Sequence, residues 1–152
     1  MGREAPTMKP FISAAAVLTV LLAGNVAPAQ SPTAMTVVRD VGCGCCMNWV
    51  AHLRKAGFTV TVTESATRMR DSKVPAEARS CHTGSIGGYL IEGHVPAADI
   101  KKLLADRPAI AGLAVPGMPA GSPGMEQGNR TQPYAVMAFD KAGKMTVYSS
   151  HR

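Results

Sequence analysis

The chain has 152 residues, 46% of them hydrophobic and 5% aromatic, with a formal net charge of +6. Its cations are dispersed, with Arg54-Lys55 and Lys101-Lys102 the adjacent pairs, and few aromatics lie among them. That pattern argues against a nucleic-acid surface, and the length suits one domain with a modest core.

Residues 1–29 read as a secretory signal. Arg3 and Lys9 give a basic start, residues 11–23 are apolar and uncharged, and Ala27-Pro28-Ala29 is a small-x-small cleavage pattern. The apolar run is short for a bilayer span and ends at Gly24, Asn25 and Pro28. The expectation is an exported protein with no stable membrane insertion once the signal is removed, folded as one domain over residues 30–152.

Residues 35–40 (MTVVRD) are β-branched enough for a first strand. Residues 46–56 carry a helical apolar pattern stopped by Gly57. Residues 58–64 (FTVTVTE) alternate as a half-buried strand does. Strand, turn, helix and strand make a βαβ unit, which implies parallel pairing. Residues 66–72 are short and basic, with one or two helical turns, and a further turn follows Pro75. Residues 85–92 (SIGGYLIE) read as a third strand whose paired glycines suggest a bulge or a close backbone approach. Residues 96–106 form a helix, with Pro96 near its first position and Pro108 beyond its end. Residues 112–133 are a long Gly/Pro-rich loop, and such loops are commonly functional. Residues 134–140 and 144–149 form a terminal hairpin about Asp140 and Gly143. The fold class is thus α/β, with a central mixed sheet of four or five strands and flanking helices.

Chemistry concentrates in the four cysteines: Cys43-Gly44-Cys45-Cys46, then Cys81 directly before His82. Three thiols within four residues cannot all enter a hydrophobic core, but their sulfurs can converge on one small volume. Convergent thiols hold a soft metal or cycle between dithiol and disulfide. Two structural disulfides are a third use in an exported chain, although both would have to leave one short turn. The first turn of a helix favours thiolates through its unpaired N–H groups and dipole. Cys43 and Cys46 have the C-x-x-C spacing that thioredoxin-like proteins place there, with Cys45 inserted between them. If Cys81 meets them across the end of the sheet, four sulfurs converge. Their spacing matches neither zinc-ribbon pairs nor common ferredoxin patterns, which leaves Cu(I) as the best fit. His82 is a further candidate ligand. Met118 and Met125, each after a Pro-Gly pair in the polar loop, are candidate thioether ligands or a soft lid. Met47 and Trp49 read as packing groups, His52 as a surface residue, His94 as a capping or packing residue and His151 as frayed.

The segments VGCGCCMNWVAHLRKAGF, VPAEARSCHTGSIGGYLIEGHVPAADIKKLLADRP and GLAVPGMPAGSPGME resemble the CopG-type family of exported bacterial copper-resistance proteins. The resemblance implies a thioredoxin-like fold, a periplasmic location and copper binding at Cys43, Cys45, Cys46 and Cys81, with His82, Met118 and Met125 as neighbours. The resemblance also implies copper ions and other periplasmic copper-handling proteins as expected partners. The leading expectation is a Cu(I)-binding protein of copper resistance or handling, able to couple copper oxidation state to its thiols. The rival is a thiol–disulfide oxidoreductase acting on proteins, which the Cys43/Cys46 spacing supports.

Overall fold

The computed structural model describes residues 1–2, 33–67 and 72–152. The signal, and most of the basic turns expected over residues 66–72, lie outside the described residues. Strand β1 (Ala34–Arg39) runs into the cysteine turn and helix α1 (Gly44–Lys55), followed by β2 (Thr59–Glu64). A 3-10 turn (Ala76–Ala78) precedes β3 (His82–Ile86), β4 (Tyr89–Glu92) and helix α2 (Ala97–Asp106). Strand β5 (Gly112–Ala114), β6 (Tyr134–Phe139) and β7 (Met145–His151) complete one sheet in the order β2-β1-β3-β4-β5-β6-β7. The β1–β2 and β4–β5 pairs are parallel, and the other neighbours are antiparallel.

The sheet therefore has seven strands, more than the four or five expected, for two physical reasons. Residues 85–92 are not one strand. Gly87 and Gly88 both take positive φ (57° and 89°), so the pair makes a tight hairpin turn and the chain reverses into β4. The long loop also contributes β5, three residues held between β4 and β6. No three-residue strand carries a readable period.

Side-chain alternation divides the interior between the two sheet faces. Met35, Val37, Ile91, Leu113 and Val136 pack with Trp49, Val50 and Leu53 of α1 and with Ile100, Leu103 and Leu104 of α2. Ala114 and Phe139 face the other way, against Val74 and Ala78. Gly84 makes room for α1. A Cβ there would meet the Met35 sulfur at 2.9 Å and the Trp49 ring at 3.4 Å. The buried Trp49 ring donates its N–H to the Val95 carbonyl (2.8 Å), fixing α1 to the segment that enters α2.

The two helices are also joined end to side. Helix α2 has no side-chain cap of its own, and the Ala97 N–H instead donates to Nε2 of His52 on α1 (3.1 Å). His52 is thus an inter-helix cap rather than a surface residue. An accepting Nε2 requires neutral imidazole, and burial holds the His52 pKa below its ordinary value, with nearby Glu126 opposing and Lys55 assisting. The unfolded chain therefore takes up the proton first. The stabilisation is complete above the ordinary histidine pKa and is lost as pH falls through that value toward the lowered one. The thermal midpoint of metal-free protein is expected to fall between pH 7.5 and pH 5. The slope should be shallower in His52→Gln, which keeps an acceptor but does not titrate. Equal slopes in the two proteins would refute the role.

Candidate metal centre

The cysteine turn is held from two sides. Arg39, at the end of β1, donates from its guanidinium to the Cys43 carbonyl (2.9 Å) and pairs with Glu64 on β2. The Asp40 N–H donates to the Cys81 carbonyl (2.9 Å), which brings the segment before β3 against the turn. On the far face of the sheet the fully buried Glu92 carboxylate accepts from the Ser80 N–H (2.6 Å), the Ser80 hydroxyl (3.2 Å) and the Thr83 hydroxyl. A carboxylate anchored on β4 thus sets the residue before Cys81. The antiparallel β1–β3 register delivers His82 opposite Arg39. Cys81 consequently lies at the cysteine end of the sheet.

There the four sulfurs converge. Cys81 Sγ is 3.2 Å from Cys43 Sγ, 3.2 Å from Cys46 Sγ and 4.0 Å from Cys45 Sγ, and Cys43 and Cys45 are 3.4 Å apart. Cys43 and Cys46 are joined in a disulfide, while Cys45 and Cys81 are free thiols. Cys46 is fully buried in the first turn of α1, and the other three are half-buried. Burial, then the neighbouring Cys45, pushes the Cys81 pKa up to about 11. In this oxidised state Cys81 is a thiol. Four thiolates require reduction of the Cys43–Cys46 bond and a cation to offset their mutual repulsion.

A second donor set shares Cys81. Its Sγ, a ring nitrogen of His82 and one of His94 all lie within 4.8 Å of one another. Both imidazoles are fully buried, edge to face, with centroids 5.0 Å apart. Backbone carbonyls fix which nitrogen of each ring carries its proton. His82 Nε2–H donates to Gly93 O (2.9 Å), so Nδ1 presents its lone pair toward Cys81 Sγ at 3.7 Å. His94 Nδ1–H donates to Pro123 O (2.8 Å), so Nε2 presents its lone pair, and that buried atom has no hydrogen-bond partner among the described residues. Burial lowers the His94 pKa, which keeps it neutral. A buried acceptor without a partner costs stability unless something occupies it. Backbone-oriented neutral imidazoles are the usual dress of metal-binding histidines. His94, expected to cap or to pack, is fully buried and packs edge to face against His82. Its signal, a histidine after a glycine at a strand end, is too slight to read without the fold.

The loop that holds His94 grips α1 closely. Gly124 has φ +85°, and a Cβ there would come within 2.6 Å of the Trp49 backbone nitrogen. Both Glu126 carboxylate oxygens accept from the Gly124 N–H (3.0 and 2.9 Å). Met125 is half-buried, whereas Met118 is 57% exposed and Met47 36% exposed. Met47 is not the packing residue expected. His151 is not frayed. It pairs with the buried Asp99 (2.9 Å) and stacks on Tyr134, tying β7 to α2.

No helix among the described residues is long and apolar enough to cross a membrane. The family model described as a protein of unknown function, DUF411, matches residues 78–125, the span from the 3-10 turn to Met125. Two solved structures of copper resistance protein CopG, designated Form 1 and Form 2, are each 46% identical to the chain. Form 1 superposes with a TM-score of 0.71 over 79% of this chain and 98% of its own. Form 2 gives 0.73 over 80% and 99%. Among curated proteins, none matches the chain.

Proposed function

The chain belongs to the CopG family of copper resistance proteins, and from that premise we propose that it binds Cu(I) through Cys43, Cys45, Cys46 and Cys81 in the periplasm. The observation that carries this reading is the convergence of the four cysteine sulfurs within 4.8 Å of one another, next to a second donor set of Cys81, His82 and His94. Thiolates suit Cu(I), and imidazole suits copper in either oxidation state. The set of four sulfurs and the set of Cys81, His82 and His94 together hold more than one copper ion, with the Cys81 sulfur bridging them. Met118 and Met125 act as a polarisable cover over the loop side and ligate weakly at most. The sheet order β2-β1-β3-β4, with two helices against one face, supports reading that part as thioredoxin-like, with β5 to β7 added to it.

The test is Cu(I) titration of anaerobically reduced protein against a competing chelator. More than one equivalent should be taken up in wild type, and His94→Phe should lose part of that capacity while keeping the tight thiolate fraction. Zinc in equal supply should not displace the copper. A single equivalent, indifferent to His94, would remove the two-set reading.

One observation favours a second reading: the disulfide in a C-x-x-C at a helix N-terminus is also the equipment of a protein oxidoreductase. Catalytic reduction of insulin disulfides by the copper-free protein would favour that reading, and its absence the copper reading.

A further inference from the structure

His94 Nδ1–H donates to the Pro123 carbonyl (2.8 Å). The other end of that same peptide unit is also engaged. The Gly124 N–H donates to both carboxylate oxygens of Glu126 (3.0 and 2.9 Å). The C=O and N–H of a trans peptide point in opposite directions, so one peptide lies between an imidazole and a carboxylate. Pro123 and Gly124 are buried, and both groups of this peptide need their partners.

The turn sequence does not by itself set the orientation of that peptide. Ser122-Pro123-Gly124-Met125 is closed by the Met125 N–H on the Ser122 carbonyl (2.8 Å), and Gly124 has φ +85°, the type II form. Proline at the second position and glycine at the third also allow type I, in which the central peptide is turned over. The ends of the turn are held separately. The Ser122 N–H and hydroxyl donate to the Pro119 carbonyl (3.1 and 2.8 Å), and the Gly121 N–H donates to the Met125 carbonyl (3.1 Å). The central peptide can therefore turn over without unfolding the loop. Turned over, it would face the Pro123 carbonyl toward the Glu126 carboxylate and the Gly124 N–H toward His94 Nδ1. The ring would then have to accept at Nδ1 and carry its proton on Nε2.

We propose that Glu126 is a positioning residue, whose carboxylate holds the Pro123–Gly124 peptide in the type II orientation and so keeps the His94 proton on Nδ1 and the lone pair on Nε2. The Gly124 N–H in turn holds the Glu126 pKa below its ordinary value, which keeps the carboxylate charged. A charged acceptor polarises the peptide and strengthens its carbonyl as the acceptor for His94. The charge of Glu126 is also felt directly at His94 and at His52. The value of the Nε2 lone pair as a ligand rests on the copper reading, whereas the choice of tautomer does not.

The experiment uses metal-free protein labelled with nitrogen-15, near neutral pH. Long-range proton–nitrogen spectra report which nitrogen of His94 carries the proton, and hydrogen exchange reports how well Nδ1–H is held. Wild type should show one tautomer with a protected Nδ1–H. In Glu126→Ala, Nδ1–H should exchange about tenfold faster and an Nε2–H signal should emerge, the lower end for losing a hydrogen bond to a charged group. Glu126→Gln keeps an acceptor oxygen and should stay within about threefold of wild type. Asp140→Ala removes a similar acceptor from another turn, where Asp140 serves the Ala142 and Lys144 N–H groups. It should lower the thermal midpoint and leave the His94 signals in place. An unchanged His94 tautomer and exchange rate in Glu126→Ala would overturn the proposal. So would a Glu126→Gln protein that behaves as Glu126→Ala, because the charge rather than the peptide would then be acting. In Cu(I) titration of reduced protein, Glu126→Ala should weaken about tenfold the fraction that His94→Phe loses and spare the tight thiolate fraction. If His94→Phe takes up copper as wild type does, the two-set copper reading falls, and the metal-free spectra still decide the role of Glu126.

Discussion

Cys81→Ser is expected to cost more Cu(I) affinity than any other single cysteine replacement. Cys81 is the one sulfur that belongs to both donor sets, and it touches Cys43, Cys46 and His82 at once. A hydroxyl there leaves three thiolates without a bridge to the imidazoles, and oxygen is a poor partner for a soft cation. Losing an outer hydrogen-bond partner of a metal ligand costs about 10–100-fold, and losing this shared ligand should exceed about 100-fold. Cys45→Ser, at the greatest sulfur distance from Cys81, should cost less. Chelator competition on the reduced variants measures both. A Cys81→Ser protein within about threefold of wild type would end the four-thiolate reading.

Gly112→Ala should be the most damaging substitution of a single methyl group. A Cβ at Gly112 would lie 2.1 Å from the Leu90 carbonyl oxygen and 2.6 Å from the Phe139 ring. The first of these is backbone in the adjoining strand, so no side-chain rotation relieves it. Strand β5 is the three-residue splice by which β6 and β7 join the sheet. Its continuation supplies Val115, which bonds to Glu92, and then the loop that orients His94. Overpacking a core commonly costs about 1–3 kcal/mol, and a clash with strand backbone belongs at or above that upper end. Urea denaturation should show a loss of about 3 kcal/mol or more, with β6–β7 amides the first to lose exchange protection. A midpoint equal to that of wild type would mean that β5 is not the splice.

Most of the framework was legible because it obeys simple periods. The alternation in residues 58–64 and the helical spacing after Cys46 placed β1, α1 and β2, and that placement brought the cysteine turn to a helix start. Gly87-Gly88 was misread because two consecutive glycines serve a bulge and a type I′ turn equally well, and only the partner strand decides between them. The site was half visible. Cysteines announce themselves by type, but Glu92 and His94 do not. The role of Glu92 exists only once Ser80 and Thr83 lie across a hairpin from it, and that of His94 only once the loop carbonyl at Pro123 reaches it.

The two pinned imidazoles bear on where time is spent when the site fills. Each ring already has its proton on the carbonyl side and its lone pair inward. On the copper reading neither ring need flip or shed a proton before ligation, and the nitrogen half of the centre is ready at no waiting time. The sulfur half is not ready while Cys43 and Cys46 are bonded to one another. Loading speed would then follow the supply of electrons to that bond rather than the concentration of copper outside. The protein would behave less as a sponge than as a valve, opened by reducing equivalents and indifferent to excess cargo until they arrive.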